Sequence, residues 1–157
     1  MRARDLGLSI GTGTPGPKNA VTDVEGVRVG MTTLIEGEDV RTGVTVILPP
    51  DLPLFAGYHS LNGNGELTGM HWVRESGMLT TPIAITNTHS VGVVRDALIA
   101  SHPVDPDLWS LPVVAETSDA TLNDMNGFHV KPEHVFAAVE SASDGPVPEG
   151  NVGGAPG

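Results

Sequence analysis

Glycine and proline interrupt this chain so often that no long regular element can form. Twenty glycines and thirteen prolines are spread through 157 residues. Proline in a helix interior costs about 3 kcal/mol, and in a sheet it removes a ladder donor. The elements must therefore be short and joined by tight turns. Between the breaks stand compact β-branched runs: residues 43–48 (GVTVIL, stopped by Pro49-Pro50), 82–86 (PIAIT) and 111–115 (LPVVA). This punctuation fits a mixed α/β or all-β fold better than a helical bundle.

The remaining segments favour α/β. Residues 27–35 (VRVGMTTLI) alternate like a strand and form a hairpin with 43–48 across the charged turn 36–41. Residues 55–61 read as a further strand, ended by the turn Asn62-Gly63-Asn64-Gly65. Glu66 opens a helical pattern, with Leu67, Met70, Trp72, Val73 and Met78 near one face and Gly77 able to end it. Ser90 is placed to cap a helix over 91–100, whose Val94, Ala97 and Leu98 face inward. Pro132 is a good first residue for a last helix, 132–141, and the residues from 143 to 157 are loop chemistry. No tandem repeat is visible. Strands followed by alternating strand and helix predict a layered α/β domain.

An apolar content of 39% with only 17% charged residues excludes a disordered chain. The length suffices for one domain with its own core. Aromatics are 4%, so Val, Ile, Leu and Ala must fill that core. The net charge of −11 excludes a basic nucleic-acid surface and a polybasic membrane contact. It serves solubility, or steers a cationic substrate such as a free amino terminus. Without cysteine there is no disulfide, thiol nucleophile or thiolate zinc site. The start, Met1 to Gly7, has no apolar run like that of a signal peptide, and no stretch approaches the roughly 18 apolar residues of a membrane span. The expected compartment is cytoplasmic.

No G-x-S-x-G elbow is present. Ser90 follows His89, but adjacent residues rarely face each other, and capping explains Ser90 more simply. No H-E-x-x-H or H-x-H occurs; His129 and His134, five apart, straddle Pro132 at a helix start, and although a zinc site could be built from them, the expectation is no metal. The glycines at 11, 13 and 16, and those at 63 and 65, fit turns better than a phosphate cradle. The stretch from Glu116 to Asp124 (ETSDATLND) carries three carboxylates and an Asn directly after the strand LPVVA. Ligands of layered α/β folds gather at the carboxyl ends of strands. A carboxylate there can pair with a substrate ammonium, and an ordinary acidic turn fits the same pattern.

A set of motifs runs in order through nearly the whole chain. It begins with Ala3-Arg4-Asp5-Leu6-Gly7, Asn19-Ala20-Val21-Thr22-Asp23-Val24, Gly26-Val27-Arg28-Val29-Gly30 and Arg41-Thr42-Gly43-Val44-Thr45. Asn62-Gly63, Glu66-Leu67-Thr68-Gly69, Thr81-Pro82-Ile83 and Thr86-Asn87-Thr88-His89-Ser90-Val91-Gly92 follow. Leu122-Asn123-Asp124, Gly127-Phe128-His129-Val130, Pro132-Glu133-His134-Val135 and Glu149-Gly150-Asn151-Val152-Gly153-Gly154 complete it. The set resembles the N-terminal portion of the DmpA-type L-aminopeptidase/D-esterase family, which includes β-aminopeptidases. The resemblance implies a layered α/β/β/α sandwich, incomplete in this chain, with residues 1–157 as the α-subunit part of one aminopeptidase domain and 143–157 as a loop or truncated tail. It implies a precursor that cleaves itself before a Ser, which then attacks the substrate to form an acyl-enzyme. The family removes N-terminal residues from short peptides, amides or esters, needs no cofactor or metal, and assembles as homo-oligomers.

By the same resemblance, the nucleophile lies downstream of Gly157, so no catalytic residue is assigned here. Glu116 corresponds to the acidic residue that holds the substrate amino group, and Ser118 stands where the family usually has an aromatic residue or Asn in the pocket. Ala120-Thr121 replaces Gly plus an aromatic, and Ala155-Pro156 replaces Gly-Thr. These departures bear on substrate preference. The alternatives are a non-catalytic binding or structural half-domain and a related self-processing N-acyltransferase. A half-fold would leave apolar faces and edges open. The isolated chain is expected to be poorly stable or oligomeric and to have no aminopeptidase activity. A cooperative melt of a monomer would refute the first expectation, and turnover of an aminoacyl-p-nitroanilide, lost in Glu116→Ala, the second.

Overall fold

A computed structural model describes residues 2–105 and 107–154. Strands β1 (Arg28–Glu36) and β2 (Val40–Leu48) form the expected hairpin, in unbroken register from Arg28↔Leu48 to Glu36↔Val40. Strand β3 (Leu54–Phe55), helix α1 (Met70–Ser76) and strand β4 (Met78–Leu79) follow, with β3 and β4 paired antiparallel. Next come β5 (Ile83–Asn87), α2 (Val91–Ser101), β6 (Val113–Thr117) and α3 (Pro132–Glu140). The main sheet has the order β1-β2-β5-β6. β2 and β5 are antiparallel, whereas β5 and β6, joined through α2, are parallel.

Alternation along β2 decides the packing. Val44, Val46 and Leu48 turn to one face with Ala84 and Val114 of the neighbouring strands. The helices α2 and α3 cover that face with Val91, Val94, Ala97 and Leu98, and with Val135 and Ala138. Each buried Val or Leu contributes about 1.5–3 kcal/mol, which compensates for the scarcity of aromatics. Helix α3 lies directly on β1. Thr32 Oγ1 donates to the His134 carbonyl at 2.8 Å, and a Cβ on Gly30 would fall 1.8 Å from the Ala138 carbonyl oxygen.

The opposite face is only partly open. Over β5 and β6 a small second core of Val73, Leu79 and Val113, with Met70, Ala56 and Ile83 against it, joins α1 and the β3–β4 pair to the sheet. Over β1 and β2 the end of the described chain crosses as a strap. Gly153 N–H donates to Thr33 Oγ1 at 2.8 Å and Gly154 N–H to Thr45 Oγ1 at 3.1 Å. Met31, Ile47 and Ile85 remain half-buried on this side. Each sheet edge carries a local backbone contact. Val29 and Ser143 exchange two backbone hydrogen bonds beside β1, and Glu66 and Thr68 bond to Glu116 and Val114 beside β6.

Several sequence expectations are corrected here. Residues 56–61 form no strand; only Leu54–Phe55 does. The helix expected from Glu66 starts at Met70, because Glu66 to Thr68 pair with the edge of β6 and Gly69 turns with φ +75°. Met78 lies in β4 rather than on the helix. Ser90 gives no side-chain cap; Asn87 Oδ1 accepts the Ser90 N–H at 3.0 Å instead. The loop expected over 143–157 holds an isolated bridge at Ser143, and residues 155–157 lie outside the described residues.

The N-terminal segment is clasped to the far end of the described chain. Arg2 Nε donates to Glu149 Oε1 at 2.7 Å, its Nη2 to the Asn19 carbonyl at 2.7 Å, and the Ala3 N–H to Glu149 Oε2 at 3.1 Å. The Ala3 amide, then the Arg2 guanidinium, holds the Glu149 carboxyl below its ordinary value. The Lys18 backbone N–H does the same for Asp23.

Two predictions follow from this packing. Gly30→Ala should destabilise the protein by about 1–3 kcal/mol, read as a lower urea midpoint, because α3 must move off β1; an unchanged midpoint would contradict the close approach. The second concerns acid. Glu149 and Asp23 ionise more readily folded than unfolded, so their stabilising contribution is present above their ordinary values of 4.5 and 3.8 and is lost as the pH falls through the lower folded values. Protection against amide exchange at Ala3 and Lys18, relative to the intrinsic rate at each pH, should fall in that acid range, and Glu149→Gln should remove that fall at Ala3 while leaving it at Lys18.

Candidate functional site

The parallel pairing of β5 and β6 brings two chain segments to one end of the sheet. Thr86 is paired with Glu116 and Asn87 with Thr117, so the strands finish side by side. Beyond β5 the chain enters a single 3-10 turn, Thr88–Ser90, before α2. Beyond β6 it passes Ser118 into the acidic turn that ends at Asp124. The carboxyl ends of strands in an open α/β sheet are where such folds bind ligands.

Glu116 stands at the centre of this end. Its backbone N–H donates to the Glu66 carbonyl at 3.1 Å, which ties the 62–68 loop to β6. Its Oε2 accepts the hydroxyl of Thr88 in a short hydrogen bond. Its Oε1 lies against Gly65, where a Cβ would come within 2.7 Å. Glu116 is half-buried, and Ser118 is exposed. Both line a pocket of about 360 Å³ with Asn64, Gly65, Glu66 and Thr88. Two carboxylates and no basic side chain face this space, so it favours a cation. Glu116 also borders a neighbouring space of about 510 Å³, which extends past Tyr58, His59 and Leu61 to Met70 and His71.

The two residues singled out in the sequence are therefore neighbours. Other members of the acidic stretch lie apart. Asn123 and Asp124 line a separate depression of about 540 Å³ with Glu38, Asp39 and Arg41, and Asn123 Oδ1 accepts the Arg41 N–H at 3.3 Å. Asp119 is 3% exposed, and neither of its carboxylate oxygens has a hydrogen-bond partner among the described residues.

The pairs considered from sequence are not assembled. Ser90 Oγ is buried without a partner among the described residues, and His89 stacks on Phe128 with ring centroids 5.9 Å apart. His134 Nδ1 accepts the Lys131 N–H at 3.0 Å, and His129 Nε2 lies 3.8 Å from Asp124 Oδ2. No group of three potential metal ligands occurs among the described residues. Of the glycine-rich stretch 62–65, Asn64 and Gly65 line the pocket of Glu116 and Ser118, and the whole stretch borders the neighbouring space.

Sequence reasoning missed Thr88 and the part played by Gly65. The signal for Thr88 was available: it follows the apolar strand 82–86 just as Glu116 follows LPVVA. The contact of Gly65 with Glu116 depends on the 62–68 loop pairing with β6, which the helical reading from Glu66 obscured.

The same chain course occurs in known proteins. Peptidase family S58 matches residues 19–157. The β-peptidyl aminopeptidase BapA of Sphingosinicella microcystinivorans is 52% identical over 167 residues, covering 98% of this chain and 42% of that protein. BapA of Sphingosinicella xenopeptidilytica is 47% identical, covering 99% of this chain and 43% of its own. Among solved structures, a Burkholderia sp. β-aminopeptidase superposes with a TM-score of 0.92 at 56% identity, over 98% of this chain and 47% of that one. The L-aminopeptidase D-Ala-esterase/amidase of Ochrobactrum anthropi, described as a variant of the Ntn-hydrolase fold, gives 0.89 at 46% identity, over 98% and 47%. This chain thus spans somewhat under half the length of these relatives and aligns with their layered α/β architecture, of which the described residues supply a helical layer and a mixed sheet. Matched over most of its length by the family and throughout by its solved relatives, the chain belongs to peptidase family S58.

Proposed function

We propose that this chain supplies the amino-group-binding side of a self-cleaving serine aminopeptidase acting on short peptides, amides or esters. The observation that carries the reading is the Glu116 carboxylate, held at the end of β6 in a pocket with a second carboxylate and no cationic side chain. A substrate ammonium entering there exchanges water for a charge-assisted hydrogen bond to Glu116. Fixing the amino end sets where the first carbonyl can lie, which is how a binding group raises a rate without touching the reacting atoms. Ser118 borders the same space with a small hydroxyl, leaving room beside the amino group.

In this reading the nucleophilic Ser and the donors that stabilise the tetrahedral oxyanion belong to the β portion, which would pack on the half-buried Met31, Ile47 and Ile85. That Ser is released by autoproteolysis, and the two portions assemble further as a homo-oligomer in the cytoplasm. No helix among the described residues is long and apolar enough to cross a membrane.

The test is direct binding. Alaninamide, which has a free amino group, should perturb the amide resonances of Glu116 and Ser118 in the 157-residue protein, and N-acetylalaninamide should not. Glu116→Gln should weaken the alaninamide response by roughly tenfold or more, the cost of losing a charge-assisted partner. Equal responses to the two amides, or an unaltered Glu116→Gln response, would refute the assignment.

A further inference from the structure

We propose that Thr88 is a positioning residue for Glu116: its hydroxyl holds Oε2, so that Oε1 is presented across the bare backbone of Gly65 to the substrate amino group. The proposal rests on the reading of Glu116 given above and adds what gives that carboxylate a direction.

A glutamate has three side-chain torsions, and an exposed one samples many rotamers. Glu116 leaves the sheet edge at a half-buried position, where its own strand does not fix the carboxylate. Two contacts from other segments do. The first is the Thr88 hydroxyl on Oε2. The second is Gly65, whose missing side chain makes room for Oε1; an ideal Cβ would stand 2.7 Å from that oxygen, inside van der Waals contact. One oxygen is bonded and the other is confined to a gap bordered by Asn64, Glu66 and Ser118.

Thr88 can impose this because it is itself held. It follows Asn87, which is 2% exposed and bonded at both ends of its amide. Asn87 Nδ2 donates to Thr42 Oγ1 at 2.8 Å, and its Oδ1 accepts the Ser90 N–H at 3.0 Å. Thr42 is fully buried in β2. The turn bearing Thr88 is thus anchored to the middle of the sheet on one side and to the start of α2 on the other. Thr88 is β-branched, with few χ1 rotamers, so its hydroxyl direction is restricted before Glu116 arrives. The chain of supports runs from Thr42 through Asn87 and Thr88 to the carboxylate.

Thr88→Val keeps the shape and removes the hydroxyl, and Thr88→Ser keeps the hydroxyl. The readouts are the χ1 population of Glu116, from three-bond couplings in the 157-residue protein, and the ratio of alaninamide to N-acetylalaninamide affinity. The wild type should show one dominant Glu116 rotamer. Thr88→Val should disperse it and lower the affinity ratio about two- to tenfold, the entropy of fixing one long side chain on binding. Thr88→Ser should restore both. A purely structural role for Thr88 would lower the denaturation midpoint without changing the Glu116 rotamer, and that result, or an unchanged affinity ratio, overturns the proposal. Should Glu116→Gln bind alaninamide as the wild type does while Thr88→Val still disperses the rotamer, the ammonium reading fails and the positioning contact stands. Should Thr88→Val not fold, Gly65→Ala on the exposed loop carries the test. Displacement of the Glu116 rotamer with a lowered ratio supports the proposal, and an unmoved carboxylate with an unaltered ratio overturns it.

Discussion

The parallel pairing of β5 with β6 is the constraint on which the rest of the molecule depends. A parallel pair needs a crossover, and the residues between these strands include α2, which packs on the sheet and completes the main core. The same pairing sets the two strand ends level, Asn87 beside Thr117. Only then can the turn after β5 reach the side chain of Glu116. A one-residue slip of β6 would reverse the faces of Val114 and Glu116 together, removing a core contact and the site carboxylate at once. Core and site are therefore fixed by one register, which buried Ala84 and Val114 enforce.

Much of this was legible in the chain because its strong signals are local. The β-branched runs became β2, β5 and β6, and the apolar spacing of 91–98 became the buried stripe of α2. Glu116 was found from its place after an apolar strand. The failures share a cause: each was decided by a partner distant in sequence. The residues from Glu66 have helical spacing, but the free edge of β6 offered backbone bonds that a helix start could not match, so Glu66 and Thr68 pair there. Ser90 has cap chemistry, but Asn87 reaches the same turn from a strand end where Thr42 already orients its amide. Thr88 stands just beyond an apolar strand, as Glu116 does, but its partner becomes evident only when β6 lies alongside.

Close approach of backbone to backbone recurs wherever the layers meet. Helix α3 rests on β1 at Gly30, and Gly154 lies so near β5 that a Cβ would be 2.0 Å from the Ile85 carbonyl. At these positions glycine serves packing rather than turning. The threonines of the sheet complement this. Thr32, Thr33 and Thr45 spend their hydroxyls on carbonyl or amide groups of the segments laid over them, so each approach is bonded as well as close.

The unequal cover on the two edges of the main sheet has a consequence for assembly. The Glu66–Thr68 segment pairs along β6, whereas Ser143 bonds to the outer edge of β1 only at Val29 among the described residues. Strand addition, the route by which unprotected sheets grow into fibrils, is therefore hindered at β6, and along β1 only beside Val29. A companion arriving broadside, over the face that Gly153 and Gly154 cross, is fitted by side-chain shape rather than by backbone hydrogen bonding. Recognition through shape discriminates among sequences in a way that strand addition does not.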